Sequence, residues 1–247
     1  MSAVLNIART EARRIFVSPL AWTVLAVLQA ILGYVYITLL FQYAANAQMG
    51  DQYMGVADYM GGGLYGFATI LLLLVMPVLS MRLFAEERKS GTLTLLLGAP
   101  VTLVQIVLGK FCGLMSFMIA ALILLALMPL ALLPATNLDL GRIAAGLVGL
   151  LLMMMAFGAA GLFMSTLTRE PTIAAVASLG LLLIVWLLQV LGDRSGAFAP
   201  VFAYLSLVTH FESLRRGVFN SADVVYYLLF TALFLWLAVQ RLDLERT

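Results

Sequence analysis

Six times along the chain the polar positions thin out and a long apolar run takes over, at roughly 19–42, 64–83, 103–133, 143–167, 172–191 and 223–240. About twenty apolar residues carry an α-helix through a hydrocarbon core of about 30 Å, so each run predicts one transmembrane helix. The third run is longer than a crossing needs and holds Pro129 and Pro134 near its end. A ring that fixes φ and removes a donor predicts a kink or stop there, near Pro134. The expected fold class is therefore an all-α polytopic membrane protein, with one transmembrane domain over 1–247 and no soluble domain. Neither an internal repeat nor the inverted repeat of many secondary transporters is visible. The first run follows Arg13 and Arg14 and precedes Ala45-Asn46-Ala47, as a signal peptide would. Its core is too long for that role and five more spans follow, so it is expected to stay uncleaved.

Three segments between or before the spans have patterns of their own. Residues 2–17, within a leading segment 1–18, place Val4, Ala8, Ala12, Ile15 and Phe16 on one helical face and Arg9, Arg13 and Arg14 elsewhere. That predicts an amphipathic helix lying along the cytoplasmic leaflet, and the basic start also suits a segment that sets topology. Residues 192–222 are longer than a turn needs and apolar around 198–207. Short re-entrant or interfacial helices would satisfy their backbone better than open loop. The third segment, 84–100, opens with Glu86, Glu87, Arg88 and Lys89, is interrupted by Ser90-Gly91-Thr92, turns apolar through Leu97 and stops at Gly98-Ala99-Pro100. Two readings fit it on composition alone. It is a short surface helix able to enter a groove on a soluble partner, or a solvated loop that flanks two spans.

The 247 residues are 64% hydrophobic and 11% charged, with a mean hydropathy of +1.07. A soluble domain is about one quarter charged, so much of this surface must face lipid. The net charge of +2 is too small to suggest nucleic acid, and its distribution says more. Placing both termini inside gathers Arg9, Arg13, Arg14, Arg82, Arg88, Lys89, Lys110, Arg169, Arg241 and Arg246 on the cytoplasmic side. Only Arg142, Arg194, Arg215 and Arg216 then lie outside, and the first outer loop, about 43–63, holds Asp51 and Asp58 with no base. The positive-inside rule selects that orientation.

Candidate chemistry is sparse. Gln29 and Gln189 are the strongly polar side chains deep in the spans, suited to interhelical hydrogen bonds or to lining a substrate path. Ion-coupled transport needs intramembrane charges or broken helices, which the runs do not offer. Cys112 is the single cysteine and His210 the single histidine, so neither a disulfide, a thiolate metal site nor a histidine cluster can form within the chain. Cys112 has no base in its own span, and the nucleophile–base pair of an intramembrane hydrolase is missing. Gly109-Lys110 is followed by Phe111 rather than Ser or Thr, so there is no phosphate loop and nucleotide hydrolysis would need a partner chain. Ala156/Ala160 and Gly161/Ser165 are small-xxx-small pairs, suited to packing inside one bundle or to a dimer seam. The methionines, including Met153–Met155, read as adaptable packing.

The 84–111 stretch, FAEERKSGTLTLLLGAPVTLVQIVLGKF, closely resembles the signature of permease subunits of the type-2 ATP-binding-cassette exporters. It is most similar to the branch named after the gliding-motility permease GldF, whose relatives include the nitrous-oxide-reductase maturation permease NosY. Ser165-Thr166-Leu167-Thr168 resembles that branch's Ser-Ser-Leu-Thr. Tyr204-Leu205-Ser206-Leu207, His210-Phe211-Glu212-Ser213, Arg216-Gly217-Val218 and Asp223-Val224-Val225-Tyr226 resemble its outer-loop block. Arg169-Glu170-Pro171 departs from the amide-rich sequence expected there.

The resemblance implies six spans with both ends inside and a non-catalytic subunit of the bacterial cytoplasmic (inner) membrane. It also implies that 84–100 is a coupling helix, with Glu86, Glu87, Arg88, Lys89, Ser90, Gly91 and Thr92 meeting the ATPase. Two cytosolic ATPase copies would bind ATP and Mg, leaving this chain no cofactor of its own. A second permease chain would complete the membrane unit, and an auxiliary periplasmic protein is a further partner. The same parts also fit a mechanotransmission scaffold that moves no solute itself.

Overall fold

The computed structural model describes residues 3–48, 55–134, 138–192 and 199–246. Asp51 and Arg194, both used in the charge argument, lie outside the described residues. All regular structure among the described residues is helical, and six helices are long and apolar enough to cross a membrane. The chain is an all-α polytopic membrane protein.

A leading helix α1 (Ala3–Val17) is followed by α2 (Pro19–Gln48), the first span. The second span is α3 (Val56–Asp58), a π-helical stretch (Tyr59–Tyr65), α4 (Gly66–Ser80) and α5 (Arg82–Ser90) in near-continuous succession. A short α6 (Leu93–Leu97) precedes the third span, α7 (Leu103–Leu130). The fourth and fifth are α8 (Leu140–Leu167) and α9 (Pro171–Gly192). After two short helices, α10 (Ala199–Leu205) and α11 (Leu207–Arg215), α12 (Ser221–Arg246) makes the sixth.

Local chemistry explains the boundaries. Thr102 and Gln105 form a reciprocal capping box that starts α7 just past Pro100. Asp139 caps α8 by accepting from the Arg142 amide at 3.1 Å, and Ser206 caps α11 through the Thr209 amide. Pro171 opens α9, where its missing N–H costs nothing. Leu130 ends α7, earlier than the Pro134 stop expected, because turn-type bonds take over from Ala131.

Two stretches differ from expectation. The glycine run Gly61-Gly62-Gly63 reads as loop, yet it lies inside the π-helical part of the second span. An added Cβ at Gly61 would stand 2.8 Å from the Arg215 carbonyl oxygen, and at Gly63 2.6 Å from Leu39. The glycines are there to let α2 and α11 approach this helix closely, not to turn the chain. The connector also differs: its charged half, α5, prolongs the second span, and only α6 forms a separate short helix.

α8 is the hub. Two thirds of its most apolar stretch (67%) is buried, against 17% for α2 and α9 and 22% for α12. Contacts link α8 to α4, α5, α7, α9, α11 and α12, with α2 on the outside of α4 and α7. Its small residues make this possible: Ala156, Ala159 and Ala160 are fully buried, and an added Cβ at Gly161 would fall on Ser80 Oγ. These small side chains are spent inside the bundle.

Candidate functional site

Charged side chains collect where α1, the end of α5, the start of α7 and the end of α12 meet; this is the terminal end of the bundle. The centre of the cluster is Lys110, only 1% exposed. Its Nζ donates to Glu87 Oε1 at 2.6 Å and to Glu11 Oε1, and stands 5.1 Å from the centroid of the Phe84 ring. Burying one ammonium is tolerable because two carboxylates and a ring face replace its water.

α1 is seated there by α7's shape as much as by charge. Gly109 and Gly113, one turn apart on α7, face it directly. An added Cβ at Gly113 would lie 3.1 Å from the Ala8 carbonyl oxygen and 3.2 Å from the Ala12 nitrogen. The amphipathic stripe of α1 is therefore turned onto α7, with Glu11 standing within it.

Around Lys110 the pairs spread outward. Arg14 reaches Glu86 at 3.2 Å and Glu87 at 3.8 Å. Arg88 bonds Glu245 at 2.8 Å, tying α5 to α12, and Lys89 reaches Glu170 at 2.7 Å across the inner loop. Glu86, Glu87 and Arg88 thus turn back towards the protein, and Glu87 and Arg88 are mostly covered. Lys89, Ser90, Gly91 and Thr92 are exposed.

The chain ends α5 by turning left-handed at Gly91 (φ 74°), a conformation only glycine takes cheaply. Ser90 and Thr92 hydroxyls bond each other at 2.8 Å across that turn. α6 is pinned by buried Leu93 and by half-buried Leu96 and Leu97, leaving Thr94 and Leu95 outward; Leu95 is 77% exposed. Beside it lies an open cleft of about 470 Å³ lined by Arg88, Leu93, Thr94, Leu97, Arg169 and Glu245. The result is an exposed tip that combines hydroxyls, one large apolar side chain and an adjacent charged cleft.

At the opposite end the residues of the outer block act as fasteners. His210 Nδ1 is 2.7 Å from Asp223 Oδ1 and its Nε2 is 2.8 Å from the Tyr204 carbonyl oxygen, while its ring stacks on Tyr226 at 4.1 Å. Ser213 Oγ donates to Asp223 as well, so it is not aligned with the imidazole as a nucleophile would be. Phe211 is buried against Gly149 on α8. Glu212 is gripped by Arg215 at 2.5 Å and Arg216 at 2.9 Å. Partial burial pushes its carboxyl up, but the two arginines outweigh that and hold it below the usual carboxylate range. Gly217 (φ 84°) closes α11 in a Schellman turn, with Val218 N bonded to the Ser213 oxygen. Arg215 also donates to the Gly62 carbonyl at 2.6 Å, and Arg142 meets Asp58 at 2.5 Å. Of the two span glutamines, Gln29 donates to the Ala121 carbonyl on α7 at 3.1 Å. Gln189 is half-buried near the end of α9, and the two are not brought together.

Sequence reasoning counted Lys110 and Arg14 among the topological charges, weighed Lys110 for a phosphate loop and Arg14 as part of the polar face of α1, and passed over Glu11. The available signal was a carboxylate on the apolar stripe of an amphipathic helix, and a lysine inside an apolar run between two glycines four residues apart.

No curated protein matches the chain significantly. A family model described as ABC-2 family transporter protein matches residues 5–241, nearly the whole chain. The chain belongs to the ABC-2 family of transporter proteins.

Proposed function

We propose that the chain is the permease subunit of an ATP-binding-cassette exporter and that its Ser90–Pro100 tip is received by a separate cytosolic ATPase. Subunits of this family generally work with such an ATPase and are not themselves catalytic. The observation that carries the reading is the construction of the tip. An exposed leucine lies on a short helix, while buried Leu93 and the Glu87 and Arg88 pairs fasten its base to the bundle. In the positive-inside orientation the tip faces the cytosol. Two ATPases drawn together by ATP would carry two tips with them, and α5 would pass that movement into α4 and α8. Two copies of the ATPase holding ATP and Mg, a second permease chain and the bacterial inner membrane complete the assembly. The sequence likeness favours the GldF- and NosY-like branch, with an auxiliary partner at the outer helices.

Leu95→Glu tests the docking. Co-purification of the partner ATPase should fall about tenfold or more, as expected for losing an apolar anchor, while the thermal melting midpoint stays unchanged. Normal ATPase binding and stimulation by that variant would overturn the assignment. Glu87→Ala is a poor substitute, because it also opens the site of Lys110.

A filled core favours mechanotransmission as a second reading. The cavity among Leu28, Leu32, Leu72, Leu125 and Met154 is about 10 Å³, too small for a solute within one copy. Vesicle flux assays set against pull-downs on α10 and α11 separate the two readings.

A further inference from the structure

A groove runs along the outside of the bundle between α2 and α4. Near the terminal end it is a cavity of about 120 Å³ whose lining includes Arg14, Ser18, Ala21, Leu79, Arg82 and Glu86. The next turns of the same two helices wall a second cavity, about 310 Å³, with Val24, Val27, Ile31, Leu71, Leu74 and Val75. The two are consecutive on both helices. From Leu20 to Ile31 the groove follows α2 for ~16 Å at 1.5 Å per residue.

The ends of this groove differ chemically. The upper part is walled almost wholly by aliphatic side chains on lipid-facing helices. The mouth carries guanidinium groups, and its position along the bundle is marked by Trp22, half-exposed, with Nε1–H donating to the Phe16 carbonyl at 2.6 Å. A tryptophan so placed is typical of the level where lipid headgroups begin. The acids at the mouth are already engaged: Glu11 by Lys110 and Glu86 by Arg14. Arg82 makes no ion pair among the described residues, while Arg14, about half exposed (46%), is shared with Glu86 at 3.2 Å and Glu87 at 3.8 Å. A free guanidinium fork beside a second one matches a phosphate oxyanion.

We propose that this groove holds one anionic phospholipid of the adjoining leaflet, with its phosphate at Arg82, beside the exposed edge of the paired Arg14, and an acyl chain laid between α2 and α4. The inference is independent of the ATPase-docking reading. Only an amphiphile uses both parts of the groove at once, which separates it from a free phosphate or a detached acyl chain. A bound lipid would brace α1 against the first two spans.

The full-length protein, delipidated and rebuilt into nanodiscs of equal phosphatidylglycerol and phosphatidylcholine, provides the test. Native mass spectrometry after release into mild detergent should find one phosphatidylglycerol retained per chain in preference to phosphatidylcholine. Arg82→Gln should lower that retention about tenfold, the effect of losing one charge-assisted contact. Val27→Trp, which fills the track with a larger apolar side chain at an exposed position, should lower it as well. Arg9→Gln and Arg13→Gln, on the exposed side of α1, should not change it. Melting midpoints would certify folding, and Arg82→Lys, which keeps the charge but loses the fork, should fall between.

Four results would sink the proposal. Unchanged retention in Arg82→Gln is the first. An equal loss in Arg9→Gln would mean diffuse surface attraction. Glycerol 3-phosphate binding as tightly as phosphatidylglycerol would leave the track idle. Val27→Cys disulfide-linking two copies would put a second chain in the groove.

Discussion

Lys89 and Lys110 each meet a carboxylate, yet the same substitution at the two should give different outcomes. Lys110 is buried between Glu11 and Glu87, so Lys110→Ala would leave two acids facing each other without water; the expected loss is about 3–5 kcal/mol. Lys89 is paired with Glu170 at the surface, and its alanine variant should lose about 1 kcal/mol or less. Thermal melting of the two variants in detergent measures the contrast. Glu212 supplies a pH dependence of known sign. Its folded carboxyl is held low by Arg215 and Arg216, so the stability it contributes is present above the ordinary carboxylate pKa and is lost as pH falls through the depressed folded value. Amide protection factors in α11, which take out the intrinsic slowing of exchange in acid, should therefore fall on acidification, and Glu212→Gln should flatten that response. Residue types alone did not reveal these partners. Lys110 and Glu11 lie far apart in the chain, and their pairing depends on how two helices cross.

Helix crossings, in turn, depend on small side chains whose purpose the linear pattern leaves ambiguous. Gly109 and Gly113 look like weak points within an apolar span; folded, they are the seat of α1. Gly113→Ala would push a methyl group against the α1 backbone, with an expected loss of about 1–3 kcal/mol from overpacking. Its signature is faster amide exchange confined to α1, with the spans unaffected. Gly61–Gly63 mislead in the same way, because a glycine run signals a turn by composition and a close helix approach by context. The amphipathic face of α1, the short helices after α9 and the break at Gly91 were all legible, since each rests on local periodicity or on a single conformational preference. The prolongation of the second span into α5 was not. Charge at a membrane edge normally ends a helix in sequence terms, whereas here Glu87 and Arg88 find partners on α7 and α12.

At the scale of the molecule, the six spans follow from apolar length alone, while the central place of α8 follows from its alanines and glycines. The near-continuous α4–α5 column runs from the tip to that centre, with contacts to α8 from both helices. Inserting two glycines after Met81 would interrupt it at about 1 kcal/mol per glycine. The insertion should leave ATPase binding at the tip intact and abolish stimulation of hydrolysis on reconstitution, whereas a passive tether would keep both. The seat of α1 also dictates an order of events during synthesis. α1 is made before α7, and Lys110 and Gly113 do not exist until two whole spans and the start of a third have followed. At about 5–20 residues per second, the leading helix waits roughly 5–20 s for its partner. During that interval its apolar stripe has only the membrane surface to rest on, and Glu11 has only water. The amphipathic character of α1 is thus a provision for the unfinished chain, and the clasp at Lys110 becomes the step that marks its first half as complete.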